Sequence, residues 1–163
     1  MHQQTVTPVA DDSPSKSLSL SLWETVTRQA LASTREGGAT PAMPGYERAL
    51  SIARQLIQAP PPGRAEDCVA ALVVSYHNLA DFHREYGDVD TAASDLCRAH
   101  EALIALFVND DRPVSLRQAA LRHSRETHLA LITHVSRHGP HPLITRALRT
   151  GCLALNVDSL TRH

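Results

Sequence analysis

The sequence predicts an all-α domain of six helices, paired as about three antiparallel hairpins. Three observations carry that reading. Hydrophobic residues make up 42% of the 163 positions, yet the chain has only one Trp, three Tyr and two Phe, so Leu and Ala must fill the core. Ala and Leu are the strongest helix formers, and long stretches rich in them favour helix over strand. Clusters of Gly, Pro, Asn and Asp then punctuate those stretches at positions 37–45, 60–63, 87–88, 109–113 and 139–142.

Residues 1–16 are polar, contain Pro and read as a flexible tail ahead of a single helical domain spanning 17–163. Ser21 and Glu24 fit a capping box, which starts the first helix near Ser21. The Ser-Leu alternation over 17–22 also suits a short strand. Nothing later in the chain offers it a partner, so it is assigned as a lead-in to the helix. Gly37-Gly38 stops that helix. Pro41, Pro44 and Gly45 read as a loop, which places the second helix between Tyr46 and Gln58. The run Pro60-Pro61-Pro62-Gly63 breaks the chain. A third helix follows over 64–86, with Glu66 and Asp67 in its first turn, where the helix dipole favours acids. Gly87 ends it, and Asp88 caps a fourth helix reaching about Val108. Ser115 with Gln118 forms a second capping-box candidate, opening a fifth helix to about Arg137. Pro140 and Pro142 suit the start of a sixth, ending near Asn156.

The formal net charge of −1 hides an asymmetry. Residues 1–111 carry eight Lys/Arg against fifteen Asp/Glu, whereas residues 112–163 carry eight Arg against only Glu126 and Asp158. Six of the ten histidines also lie in that last third. Such a distribution suits either a surface for an anionic partner or two oppositely charged ends of one solenoid. Cys68, Cys97 and Cys152 are widely spaced and contain no CxxC, so neither a disulfide framework nor a zinc knuckle is indicated. The N-terminus lacks the apolar core of a signal peptide and no apolar run approaches ~20 residues. A cytoplasmic protein without a membrane span is the expectation.

The most specific pattern lies in the middle of the chain. Tyr76, Leu79, Ala80 and His83 spell Y-x2-L-A-x2-H, and Gly87-Asp88 is followed by Ala92, Leu96 and Ala99. Small residues at those positions let two helices approach closely across a tight turn. The stretch resembles the tetratricopeptide repeat, with its W-x2-L-G-x2-Y and A-x3-F pattern. Tyr76 stands in the Trp slot, Leu79 in the Leu slot and Ala80 in the small-residue slot, while His83 replaces the usual Tyr. The clear unit covers about residues 73–104. Trp23, Tyr46, Ala49, Ala53 and Leu56 echo it before that unit, and His128, Leu131, Val135, Gly139, Ile144 and Leu148 echo it after. The units recur at a longer spacing than the family's ~34 residues, and a generic helical bundle accommodates the same pattern.

The resemblance implies a non-enzymatic protein–protein interaction scaffold: an adaptor, assembly factor or small chaperone that needs no cofactor. Projected at helical periodicity, Val74, His77, Asp81 and Arg84 form a stripe apart from the packing face, and Asn78 borders it. That stripe resembles the ligand-facing groove of such repeats, and its mixed polarity suits an extended peptide from another protein. In the carboxylate clamp of some members, only Asn78 falls at a fitting place. Glu24, Arg28, Glu126 and Ala130 mostly do not fit, so no clamp is expected. Val157, Leu160 and the last helix form a candidate capping or dimerising surface, since short solenoids have exposed ends.

Other chemistry is less well supported. His134, His138 and His141 form H-x3-H-x2-H, and residues four apart share a helix face, but no carboxylate or Cys completes a metal set. Cys97 and His100 lie one turn apart without an orienting group, and read as a core Cys beside a partly buried His. His83 and His128 read as core-edge residues. Arg112, Arg117, Arg122, Arg125, Arg137, Arg146 and Arg149 suggest a regulatory nucleic-acid-binding module as the alternative function. They spread around their helices and lack interleaved aromatics, which speaks against nucleic acid as the partner. No Gly-rich phosphate loop, H-E-x-x-H or nucleophile elbow appears.

Overall fold

The computed structural model describes residues 18–37 and 39–161, with side chains omitted at 39 and at 157–161. The expected tail at 1–16, and the expected roles of the Val157 and Leu160 side chains, lie outside the described residues. Every described element is helical: α1 (Leu20–Arg35), α2 (Ala39–Gln58), α3 (Ala65–Glu85), α4 (Val89–Val108), α5 (Val114–His138) and α6 (Pro142–Thr161). The all-α, six-helix expectation therefore holds.

Local signals explain most boundaries. Ser19 rather than Ser21 caps α1, its hydroxyl accepting from the Leu22 backbone N–H at 3.0 Å, so the capping box at Ser21 and Glu24 does not form. Asp88 caps α4 as expected, accepting from the Thr91 N–H at 3.0 Å and the Thr91 hydroxyl at 2.6 Å. Just before it, α3 ends in a Schellman turn. The Asp88 N–H donates to the His83 carbonyl and the Gly87 N–H to the Arg84 carbonyl, with Gly87 at φ 82°. Ser115 lies inside α5, which begins one residue earlier behind Pro113, so the second capping box also fails. Helix α6 extends past Asn156 to Thr161.

The largest correction concerns α2. It starts at Ala39, so the segment expected as a loop is its first two turns. Pro41 sits in the first turn, where a backbone N–H has no helical partner anyway. Pro44 lies inside the helix and forfeits one bond. Gly45 is there for a different reason: a Cβ at this position would lie 2.9 Å from the Ala30 Cβ. The residue that reads as a breaker is the contact point at which α2 crosses α1.

Helix α1 packs on α2, and α3 packs on both α2 and α4. α4 is covered by α3, α5 and α6, and α5 also lies along α3. The third pair differs from the other two, because α6 rests mainly on α4 and touches α5 only lightly. Interiors are lined with small side chains, with Ala42, Ala53, Ala92, Ala93, Ala119 and Ala120 all fully buried. Polar contacts tie neighbouring helices together. Trp23 Nε1 donates to Ser75 Oγ at 2.8 Å, and the Thr34 and Tyr46 hydroxyls meet at 2.8 Å.

Gly45→Ala tests the α1–α2 crossing. On helix propensity alone it would stabilise the chain by up to about 1 kcal/mol. With no room for the methyl it should instead destabilise by about 1–3 kcal/mol in urea unfolding. The loss should shrink when Ala30→Gly is added.

Candidate functional site

α3 runs between α1 and α5, and this placement divides the stripe predicted on its surface. Val74, 39% exposed, borders a recess of about 180 Å³ together with Trp23 of α1. Asn78 lines a second recess of about 220 Å³ with Leu31 and Tyr46. His77 and Arg84 face the other way, into a recess of about 290 Å³ closed by α5. Asp81 touches both the second and the third. The five residues therefore do not form one continuous groove. His77, Asp81 and Arg84 are brought together, while Val74 and Asn78 belong to the α1 side.

The α3–α5 recess carries side chains of both charges. Arg84 pairs with Asp81 one turn earlier at 2.7 Å. Burial pushes the His77 imidazole below its ordinary pKa, against the opposing pull of Glu126 and Asp81, so His77 is neutral near pH 7. Three buried nitrogens around the recess (His77 Nε2, Arg84 Nε and His134 Nδ1) have no hydrogen-bond partner. Burying such groups unsatisfied costs stability. α5 supplies Glu126, Leu129, Ala130 and Thr133 to the opposite wall. Leu129 stands 63% exposed at the mouth, and Ile132 on the same helix is 45% exposed. Sequence reasoning singled out Glu126 and Ala130 only as poor clamp residues, and overlooked Leu129 altogether. An exposed leucine on a helix carries no signal until the neighbouring wall is known.

A sequence profile of the family described as "Protein of unknown function (DUF2753)" matches residues 21–163. The chain belongs to the DUF2753 family. Its matched span covers all of the helical domain except the first residue of α1. No curated protein and no solved structure matches the chain.

In this DUF2753 chain three of the seven arginines singled out in the basic last third are occupied internally. The Arg112 guanidinium donates to the Ile57 and Gln58 carbonyls at the C-terminus of α2. Arg117 donates to the Phe107 carbonyl at 3.0 Å and pairs with Asp110 at 3.0 Å. Arg122 and His123 both pair with Glu66, the latter at 2.9 Å, and Arg122 holds the Glu66 carboxyl below its ordinary pKa.

The histidines separate by environment. His83 behaves as expected, bonding Asp95 of α4 at 2.7 Å; burial pushes the Asp95 carboxyl up and the His83 hydrogen bond opposes it. His128 does not, because it is exposed rather than packed at the core edge. The His134 ring lies 4.7 Å from that of His138, while His141 approaches Asp90 at 3.4 Å. Among the described residues, no three His, Cys, Asp or Glu side chains are placed to hold a metal. Cys97 is buried and its thiol pushed up to about 11, chiefly by desolvation, so it is a core residue with no thiolate at neutral pH.

His100 is 2% exposed and wedged between α5 and α6. The Thr127 hydroxyl donates to the Ser124 carbonyl at 3.1 Å, so at its 2.8 Å contact with His100 it accepts from Nδ1–H. Nε2 is then the unprotonated nitrogen, and it faces Gly151, where a Cβ would lie only 2.6 Å away. Desolvation first, and then His128, pushes the His100 imidazole down to about 4.

That pKa is below the unfolded value of about 6.5. The unfolded chain therefore binds the proton first as pH falls. Stability is complete above pH 6.5 and declines between pH 6.5 and pH 4. Between pH 7.5 and pH 5 the His100 contribution should be a loss of about 2 kcal/mol. Urea unfolding at the two pH values measures it, and His100→Leu should remove this part of the slope.

Proposed function

We propose that the chain is a non-catalytic interaction scaffold of the cytoplasm, with tetratricopeptide-like stacking, and that it holds a segment of another protein in the α3–α5 recess. The observation that carries this reading is the combination found there. Leu129 presents apolar surface at the mouth, and Asp81, Arg84 and Glu126 offer charge of both signs along the walls. Extended peptides are recognised in this manner, with apolar anchors supplying affinity and flanking charges fixing register. Val74 and Asn78 serve the neighbouring α1–α3 crevices, within reach of a longer partner. Among the described residues, no helix is long and apolar enough to cross a membrane. The nucleic-acid alternative draws less support, because Arg112, Arg117 and Arg122 are engaged within the fold.

Affinity capture from the native host, followed by mass spectrometry, supplies the partner. Leu129→Asp and the double substitution Asp81→Ala with Arg84→Ala should each lower its recovery about tenfold while circular dichroism stays unchanged. Equal recovery by both folded variants would overturn the assignment.

A further inference from the structure

A recess of about 360 Å³, larger than the α3–α5 site, lies away from it among α2, α3 and α4. Its walls are apolar where Ile57, Leu72 and Leu106 meet. Its polar groups are all donors or neutral: no carboxylate lines it, although residues 1–111 carry a large excess of acids. Tyr76 lines the recess and is 4% exposed, and its hydroxyl makes no hydrogen bond. The Arg98 guanidinium sits 5.7 Å above the same ring. Arg112 closes one end and is fixed there by the α2 carbonyls. Arg54 at the rim is exposed and makes no hydrogen bond or ion pair, which leaves one guanidinium available for a ligand.

We infer that this recess binds a small amphipathic monocarboxylate, its tail against Leu72 and Leu106 and its head between Arg54 and the Tyr76 hydroxyl. A planar carboxylate matches the fork of one free guanidinium, and the hydroxyl adds one neutral donor. A cationic head would meet Arg54 and Arg112 without any compensating acid. The volume falls within the range of small-molecule pockets. This site is independent of the partner-binding recess.

The test is an NMR titration of the ¹⁵N-labelled full chain with octanoate, and separately with octylammonium. Octanoate should shift amides within 54–58, 72–76 and 102–112, and octylammonium should not. Arg54→Gln should raise the octanoate Kd about tenfold and Tyr76→Phe about threefold, with thermal melts unchanged. Equal binding of both amphiphiles, shifts centred elsewhere, an unaffected Arg54→Gln, or no shifts at millimolar octanoate would each overturn the assignment.

Discussion

The buried imidazole of His100 touches both helices that follow α4. Its Nδ1–H is committed to Thr127 of α5, and its other edge lies against Gly151 of α6. A single residue of α4 therefore contacts two helices at once. Gly151 is needed because any side chain there would occupy the space of the ring. This explains why the third pair departs from the first two. α6 is held by α4, its spatial neighbour, rather than by α5, its neighbour in sequence.

The same logic of close approach runs through the first half. With six large aromatics in the whole chain, helices cannot be spaced by bulky side chains. They come together at Ala and Gly instead, as at Ala30 and Gly45. Packing at short range leaves little slack, and several interfaces also match their polar groups. Trp23 with Ser75, Thr34 with Tyr46, and His83 with Asp95 do this at successive interfaces.

Much of this organisation is legible in the sequence. The ends of α3 and α4 follow from Gly87 and Asp88, whose turn and cap chemistry is purely local. The start of α2 is not legible, since Pro41, Pro44 and Gly45 are breakers by composition. Only the α1 surface opposite Gly45 reveals why a helix keeps them. The candidate site divides in the same way. Periodicity groups His77, Asp81 and Arg84 correctly because all three lie on one helix. It also groups Val74 and Asn78 with them, because one helix cannot show which neighbour will stand on each side. Leu129 and His134 join the site through packing between α3 and α5, which no spacing along the chain encodes.

The Arg112 contact to the end of α2 has a consequence for how the chain holds together. In an open array of repeats, each unit touches only its neighbours, so stability spreads unit by unit. Here a residue from the segment joining α4 and α5 completes the terminal turn of α2, more than fifty positions earlier. The first hairpin therefore ends on a group that the chain supplies only after the second hairpin has been made. Such a contact ties the end of α2 to the chain beyond α4. A fragment ending before residue 112 would carry every residue of the first two hairpins and still leave α2 unfinished.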